Sequence, residues 1–131
     1  MTALTRNRIH HLEEVLHAQR RTALEDAEEE LRRIHAQSVA DVAGEAPDTG
    51  DQSVAMLVTD VNNTMAQRHL GEVHEIDRAL AQIHGHGYGM CIDCGEKIAY
   101  RRLEAFPTAV RCADCQTRHE RQFWHEAAPR L

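Results

Sequence analysis

Four cysteines in two closely spaced pairs constrain this chain more than any other feature of its sequence. Cys91 and Cys94 form one C-x2-C pair, and Cys112 and Cys115 form a second pair after seventeen intervening residues. Each pair can present two thiolates on one tight turn, and the connecting segment can bring the two turns together as a tetrahedral set. Four soft thiolates suit Zn²⁺ and leave no open coordination position. The pattern therefore predicts one structural zinc ion per chain.

The rest of the sequence favours this metal site over a redox site. A redox C-x-x-C motif needs only one pair beside a βαβ pattern, which is missing here. Residues 1–6 turn polar at once, without an apolar stretch of signal-peptide length. No run approaches the roughly 18 apolar residues of a membrane span. We therefore expect a cytoplasmic protein without a membrane partner, in which reducing conditions disfavour disulfides.

Residues 4 to about 43 predict one long helix, since they contain neither Pro nor Gly. Apolar residues recur there at steps of three and four with one seven-residue gap, which is typical of a narrow stripe in a two-helix interface. This stripe comprises Ile9, Leu12, Leu16, Ala23, Ala27, Leu31 and Ile34.

A second long helix is predicted after a turn at residues 44–51. Gly44 and Pro47 end the first helix, Gly50 allows a tight turn, and Asp51 or Ser53 can cap the next helix. The second helix is expected to end near residues 84–87. Its predicted apolar face comprises Val54, Leu57, Val58, Val61, Met65, Val73, Ile76, Leu80 and Ile83.

Together these elements predict a mainly α fold with two domains. Residues 1–87 form a long antiparallel two-helix coiled-coil hairpin, with an acidic tip at about residues 44–53. Residues 88–131 form a small C-terminal four-cysteine zinc-finger module that ends in a helix. The basic residues near the cysteines, Lys97, Arg101, Arg102 and Arg111, are candidates to offset the charge of the zinc thiolates. The ten histidines are interpreted as surface or interface residues.

The charge distribution argues against a direct nucleic-acid-binding role. Residues 1–84 carry 8 Lys/Arg against 15 Asp/Glu, and residues 85–131 carry 7 against 6. Neutralisation of phosphates is the main source of sequence-independent affinity for nucleic acid, so an acidic chain is a poor candidate. The sequence also lacks a Gly-rich phosphate loop, an H-E-x-x-H motif and a nucleophile elbow. We therefore expect neither specific DNA binding nor an enzyme.

The cysteine region resembles the zinc-finger module of the DksA/TraR transcription regulators. Residues 88–95 read Y-G-M-C-I-D-C-G, and Ile98 follows. R-R-L-E-A at 101–105, P-T-A at 107–109 and C-A-D-C at 112–115 complete the resemblance. The hairpin predicted upstream is similar in architecture to that of this family.

This resemblance implies a regulator that binds bacterial RNA polymerase directly and works as a monomer. The family inserts its coiled coil into the secondary channel, where two acidic residues in a D-x-x-D-x-A pattern act near the active site. The corresponding residues here are Asp48 and Asp51, with Ser53 in place of the alanine. Arg68, Arg101 and Arg102 are candidate polymerase contacts.

The resemblance also bears on the alarmone ppGpp and the stringent response. Three positions that are basic in ppGpp-responsive members correspond here to Glu75, Phe106 and Gln116. Each lost cation removes a charge-assisted hydrogen bond of about 1.5–3 kcal/mol from a polyphosphate site. We therefore expect weak or no dependence on ppGpp.

Two alternative functions stay open. One is a DNA-binding zinc finger, supported by the four-cysteine module and by the pair Arg101 and Arg102, and opposed by the net charge of −6. The other is a zinc-dependent thiol sensor or stress protein, supported by the thiolate content alone.

Overall fold

A computed structural model describes residues 4–43 and 49–127 of the 131-residue chain. The described residues contain four helices: α1 (Arg6–Ala43), α2 (Thr49–His84), α3 (Tyr100–Ala105) and α4 (Ala113–Ala127). They contain no β-strand, only an isolated antiparallel bridge between Met90 and Lys97. The predicted fold class is confirmed, because a hairpin of two long helices precedes a cysteine-rich module that ends in a helix.

Local hydrogen bonds explain where the long helices begin and end. The Thr5 hydroxyl accepts a hydrogen bond from the backbone N–H of Arg8 at 3.3 Å, as expected of an N-cap residue of α1. At the end of the second long helix, the N–H of Gly85 donates to the carbonyl of Ala81 and closes the last turn of α2. No described helix is both long enough and apolar enough to cross a membrane.

The chain divides into two compact units. We call Met1–Leu16 with Ile76–Leu131 the finger unit, and His17–Glu75 the arm unit. The finger unit thus combines the start of α1 and the end of α2 with all four cysteines.

The finger unit has two clusters of buried apolar side chains. The first contains Leu12, Cys91, Ile98, Leu103 and Cys115, so it joins α1 directly to the cysteine region. The second contains Leu16, Ile76, Ala79 and Leu80, from facing parts of the two long helices. Tyr88 packs against both clusters and connects them.

The arm unit buries much smaller side chains. Among its described side chains, the buried apolar ones are Ala23 and Ala27 on α1, with Ala66 and Val73 on α2. Glu30 is buried as well, at 6% exposure. The described part of the interface between the arm helices is therefore built mainly on alanines, which contribute little apolar area.

The apolar face predicted for the second helix is right for its C-terminal half and wrong for much of its N-terminal half. Val73, Ile76 and Leu80 are buried, but the predicted residues Val54, Leu57, Val61 and Met65 are exposed. The buried positions Ala66 and Val73 lie roughly 120° around the helix from these exposed residues. On α1 the predicted stripe residue Leu31 is exposed too. Of the predicted residues, the side chain of Val58 lies outside the described part of the structure.

Candidate metal centre

The first cysteine pair lies on a turn that glycine makes possible. Gly95 has φ of +73°, a conformation that side-chain-bearing residues rarely adopt. Its N–H donates to the carbonyl of Cys91 at 3.0 Å, and the N–H of Cys91 donates to the carbonyl of Glu96 at 2.8 Å. These bonds fold residues 91–96 into a tight loop that holds Cys91 and Cys94 on one side.

The second cysteine pair lies at the beginning of α4. Cys112 precedes the helix, and its carbonyl accepts the N–H of Gln116 at 2.9 Å, while Cys115 lies in the first turn. The N–H of Ile92 donates to the carbonyl of Val110 at 2.9 Å, which ties the two cysteine loops together. The positive end of the α4 dipole therefore faces a cluster of sulfurs that carry negative charge as thiolates.

The four sulfur atoms form one cluster that fits a zinc ion. The sulfurs of Cys91, Cys94, Cys112 and Cys115 all lie within 4.8 Å of one another, and those of Cys94 and Cys112 are 3.9 Å apart. Tetrahedral zinc with Zn–S bonds of about 2.3 Å requires sulfurs about 3.8 Å apart. Both the spacing and the donor set therefore fit, and the cluster is a structural zinc site.

Two of these thiols have pKa values that are shifted in opposite directions. Backbone N–H groups, above all that of Cys94, favour the thiolate and lower the pKa of Cys91 to about 6. The pKa of Cys115 is raised to about 12, because its thiol shares a hydrogen bond with Cys112 and is buried. Binding of zinc requires thiolates, so the cluster must release protons when it takes up the metal.

The charge next to the cluster comes from a residue that the sequence interpretation missed. Arg118 places its guanidinium 3.6 Å from the sulfur of Cys115. Two predicted candidates are engaged elsewhere, since Arg111 pairs with Asp93 at 2.9 Å and Arg102 donates to the carbonyl of Arg111 at 2.9 Å. The signal for Arg118 was available in the sequence, because it lies three residues after Cys115 on a predicted helix.

Close contacts hold the cysteine module on the long helices within the finger unit. Gly89 has φ of +81°, and a Cβ there would lie 2.6 Å from Leu4 Cδ1, so any other residue would be strained at this position. The Tyr88 hydroxyl donates to the carbonyl of Pro107 at 2.8 Å. From α2, Arg78 donates to the carbonyl of Thr108 at 3.2 Å. The module is thus anchored by α1, α2 and its own loops together.

The other predicted site residues lie in different parts of the molecule. Arg68 is exposed in the arm unit, and Arg101 is exposed on α3. Arg102 is half-buried and lies over the Phe106 ring, with its guanidinium carbon 5.6 Å from the ring centroid. Asp48 lies outside the described residues. Asp51 and Ser53 belong to α2, but their side chains are outside the described part of the structure.

The structure also locates the three residues at positions that are basic in ppGpp-responsive members of the family. Glu75 is exposed and belongs to the arm unit. Phe106 is exposed in the finger unit, and Gln116 donates its side-chain amide to the Glu120 carboxylate at 3.0 Å. At these positions the chain presents a carboxylate, an aromatic ring and an amide.

Comparisons with known proteins place this cysteine module in one family. Residues 86–121 match the family described as prokaryotic dksA/traR C4-type zinc finger. The chain is 37% identical over 83 residues to the RNA polymerase-binding transcription factor DksA of Caulobacter vibrioides, which covers 63% of this chain and 54% of that protein. It is 34% identical over 79 residues to the Escherichia coli protein of the same name, covering 59% and 51%.

The fold has a solved counterpart as well. The structure of transcription factor DksA2 from Pseudomonas aeruginosa superposes with a TM-score of 0.77 and covers 91% of this chain and 88% of that one, at 23% identity. The sequence matches to the curated relatives extend over a smaller part of each protein. The chain spans about half the length of those proteins.

Proposed function

We propose that this chain, which is DksA/TraR-like in its zinc finger and its fold, binds bacterial RNA polymerase and regulates transcription. The observation that carries the proposal is the cluster of four cysteine sulfurs within 4.8 Å, which lies inside the segment that matches the family. The relatives from Caulobacter vibrioides and Escherichia coli, both named as RNA polymerase-binding transcription factors, support it. RNA polymerase lies in the bacterial cytoplasm, so the proposal keeps the expectation of a cytoplasmic protein.

The finger unit is the proposed docking part. Zinc and the buried cluster around Leu12 fix the module rigidly, which limits the entropy lost on binding. Arg101 is exposed on α3 and is the proposed cation of the module for contact with the polymerase. Arg102 lies one residue further along α3, where it donates to the carbonyl of Arg111 and packs over the Phe106 ring. Arg68 is the proposed contact of the arm unit.

The acidic segment predicted to form the tip of the hairpin is the proposed acting part. In this proposal Asp48, Asp51 and Ser53 enter the secondary channel of the polymerase and act electrostatically near its active site. Residues 34–67 contain no Lys or Arg and five acidic residues, so the negative charge there is not offset within the segment. Ser53 keeps a small side chain at the position of the family's alanine.

A binding assay paired with transcription from a sensitive promoter tests this proposal. The double variant Asp48→Asn with Asp51→Asn should bind polymerase as the wild type does but lose most of its effect on transcription. Asp26→Asn with Glu29→Gln removes two carboxylates from α1 instead and serves as the control. If wild-type protein does not bind the polymerase, the proposed function is wrong. Equal loss of binding and activity in the tip variant would make the tip an anchor.

We also propose that regulation depends weakly or not at all on ppGpp. Glu75, Phe106 and Gln116 supply no positive charge where a polyphosphate would need it. Transcription should be measured with and without ppGpp, using polymerase that lacks its own nucleotide site. We expect the protein to change transcription by nearly the same factor with and without ppGpp. A strong and saturable enhancement by ppGpp would contradict the proposal.

A further inference from the structure

Four large apolar side chains of α2 lie exposed along one line of the arm unit. We call Val54, Leu57, Val61 and Met65 the α2 stripe; they are 60%, 64%, 58% and 42% exposed. At 100° per residue they fall within roughly 80° of the helix circumference, so they form one continuous strip over about three turns. Single exposed apolar residues are ordinary, but a contiguous strip marks an interaction surface.

The α2 stripe is separate from the interface that α2 makes with α1. Ala66 and Val73 are buried in the arm unit, and their positions lie roughly 120° around the helix from the middle of the stripe. The middle of the stripe therefore lies off the face of α2 that Ala66 and Val73 mark as packed against α1.

The charge around the stripe restricts what can cover it. The arm unit carries five Arg against twelve Asp and Glu, and none of the five Arg lies between residues 34 and 67. Asp60 is exposed and lies about one helical turn from Leu57, a residue of the stripe. A second copy of this arm and an anionic membrane surface would both be repelled. A partner whose apolar surface is rimmed by Lys or Arg is complementary both to the apolar stripe and to the acidic charge around it.

We propose that the α2 stripe docks on an apolar surface of RNA polymerase that is rimmed by basic side chains. This inference rests on the proposed function and names the part of the arm that makes the contact. The stripe supplies the apolar centre of the contact, and carboxylates such as Asp60 supply charge at its edge. The stripe is then an affinity element, distinct from the acidic tip.

A pair of matched double variants tests the stripe. Leu57→Gln with Val61→Gln removes its centre while keeping good helix formers on α2. The control is Met56→Gln with Leu70→Gln, which removes two apolar side chains that are 68% and 46% exposed on the other side of the same helix. Affinity for polymerase core enzyme should fall about tenfold for the stripe variant, which corresponds to about 1.4 kcal/mol, and change less than about twofold for the control. Circular dichroism should match the wild type for both.

Each other result overturns the inference and says why. If the wild type binds but both variants bind equally well, or weaken equally, the stripe has no specific role while the proposed function stands. If the wild type does not bind at all, the proposed function fails and takes the inference with it. If sedimentation shows a wild-type dimer that the stripe variant abolishes, the occupant is a second copy. The basic rim has its own readout, because Asp60→Asn should make binding less sensitive to salt.

Discussion

The two units of this protein are stabilised in different ways although the same two helices run through both. The finger unit buries Leu12, Leu16 and Leu103 completely and adds a zinc site beside them. Among the side chains that the structure describes, the arm unit buries mostly alanines, together with one carboxylate, Glu30. Burial of a leucine contributes about 1.5–3 kcal/mol, several times what an alanine can add. The finger unit is therefore the stable part, and the arm unit relies on helix propensity and close approach of its backbones.

Charge separates the two units as clearly as packing does. The finger unit has ten Lys and Arg against nine Asp and Glu, whereas the arm unit has five against twelve. A nearly neutral unit can pack tightly on itself and on a partner. In a strongly acidic unit, repulsion between like charges opposes compaction and association with a second copy. By charge, the arm unit is complementary to a basic surface and the finger unit is close to neutral.

Loss of a zinc ligand should break this comparison most severely. We expect Cys112→Ser to unfold the cysteine module, because metal affinity in small zinc modules is largely folding free energy. Hydrogen exchange should become fast across residues 88–127 and change little across residues 17–43. Asp114→Asn, in the same C-x-x-C loop, retains all four thiols and should keep one zinc per chain. A Cys112→Ser protein with native exchange protection would contradict the zinc-based account of this unit.

Truncating a leucine of α1 should cost far more stability in the finger unit than in the arm unit. Leu12 is fully buried against Cys91 and Leu103, so Leu12→Ala should cost about 2–5 kcal/mol and weaken zinc retention. Leu31 is 49% exposed on the same helix, and Leu31→Ala should cost no more than about 0.5 kcal/mol. Chemical denaturation with zinc bound measures both. Equal costs would show that the arm unit packs as firmly as the finger unit.

The buried carboxylate of the arm unit offers a way to make that unit more stable. Glu30 has one oxygen paired with Arg33 at 3.3 Å, while its other oxygen is buried without a hydrogen-bond partner. An unsatisfied buried polar atom costs about 1–3 kcal/mol. Glu30→Leu should therefore raise the free energy of unfolding by about 1 kcal/mol. Glu29→Leu is the control, since Glu29 also pairs with Arg33 but its side chain is 59% exposed. Destabilisation by Glu30→Leu would mean that the carboxylate has a structural role.

The sequence predicted the helices and the zinc ligands far better than it predicted what packs where. The cysteine spacing is a short-range pattern, so Cys91, Cys94, Cys112 and Cys115 could be assigned without any knowledge of the fold. The periodicity of α2 showed which residues share a face but not which face meets α1. On α1 the predicted stripe residues Ala23 and Ala27 are indeed buried. On α2 the buried Ala66 is only weakly apolar, so it gave a smaller signal than the exposed α2 stripe.

Contacts between distant parts of the chain were beyond the sequence altogether. Leu4 meets Gly89, and Leu12 joins the cluster around Cys91 and Cys115, across more than 70 residues. Nothing in the local pattern of residues 4–16 distinguishes these leucines from others on the same helix. Their role depends on how the cysteine module is placed against α1, which is a property of the tertiary structure.

Tyr88 links the two apolar clusters of the finger unit. Its hydroxyl donates to Pro107 at 2.8 Å, so Tyr88→Phe should cost about 1 kcal/mol at neutral pH. Burial, with repulsion from Tyr100, raises the pKa of Tyr88 from 10.0 to about 12. Folding thus favours the neutral phenol, and the resulting stability is complete below pH 10 and is lost as the pH rises towards 12. Stability measured with zinc present should fall more steeply over that range for the wild type than for Tyr88→Phe. The variant is its own control for alkaline loss of zinc, and parallel curves would contradict the buried state of the hydroxyl.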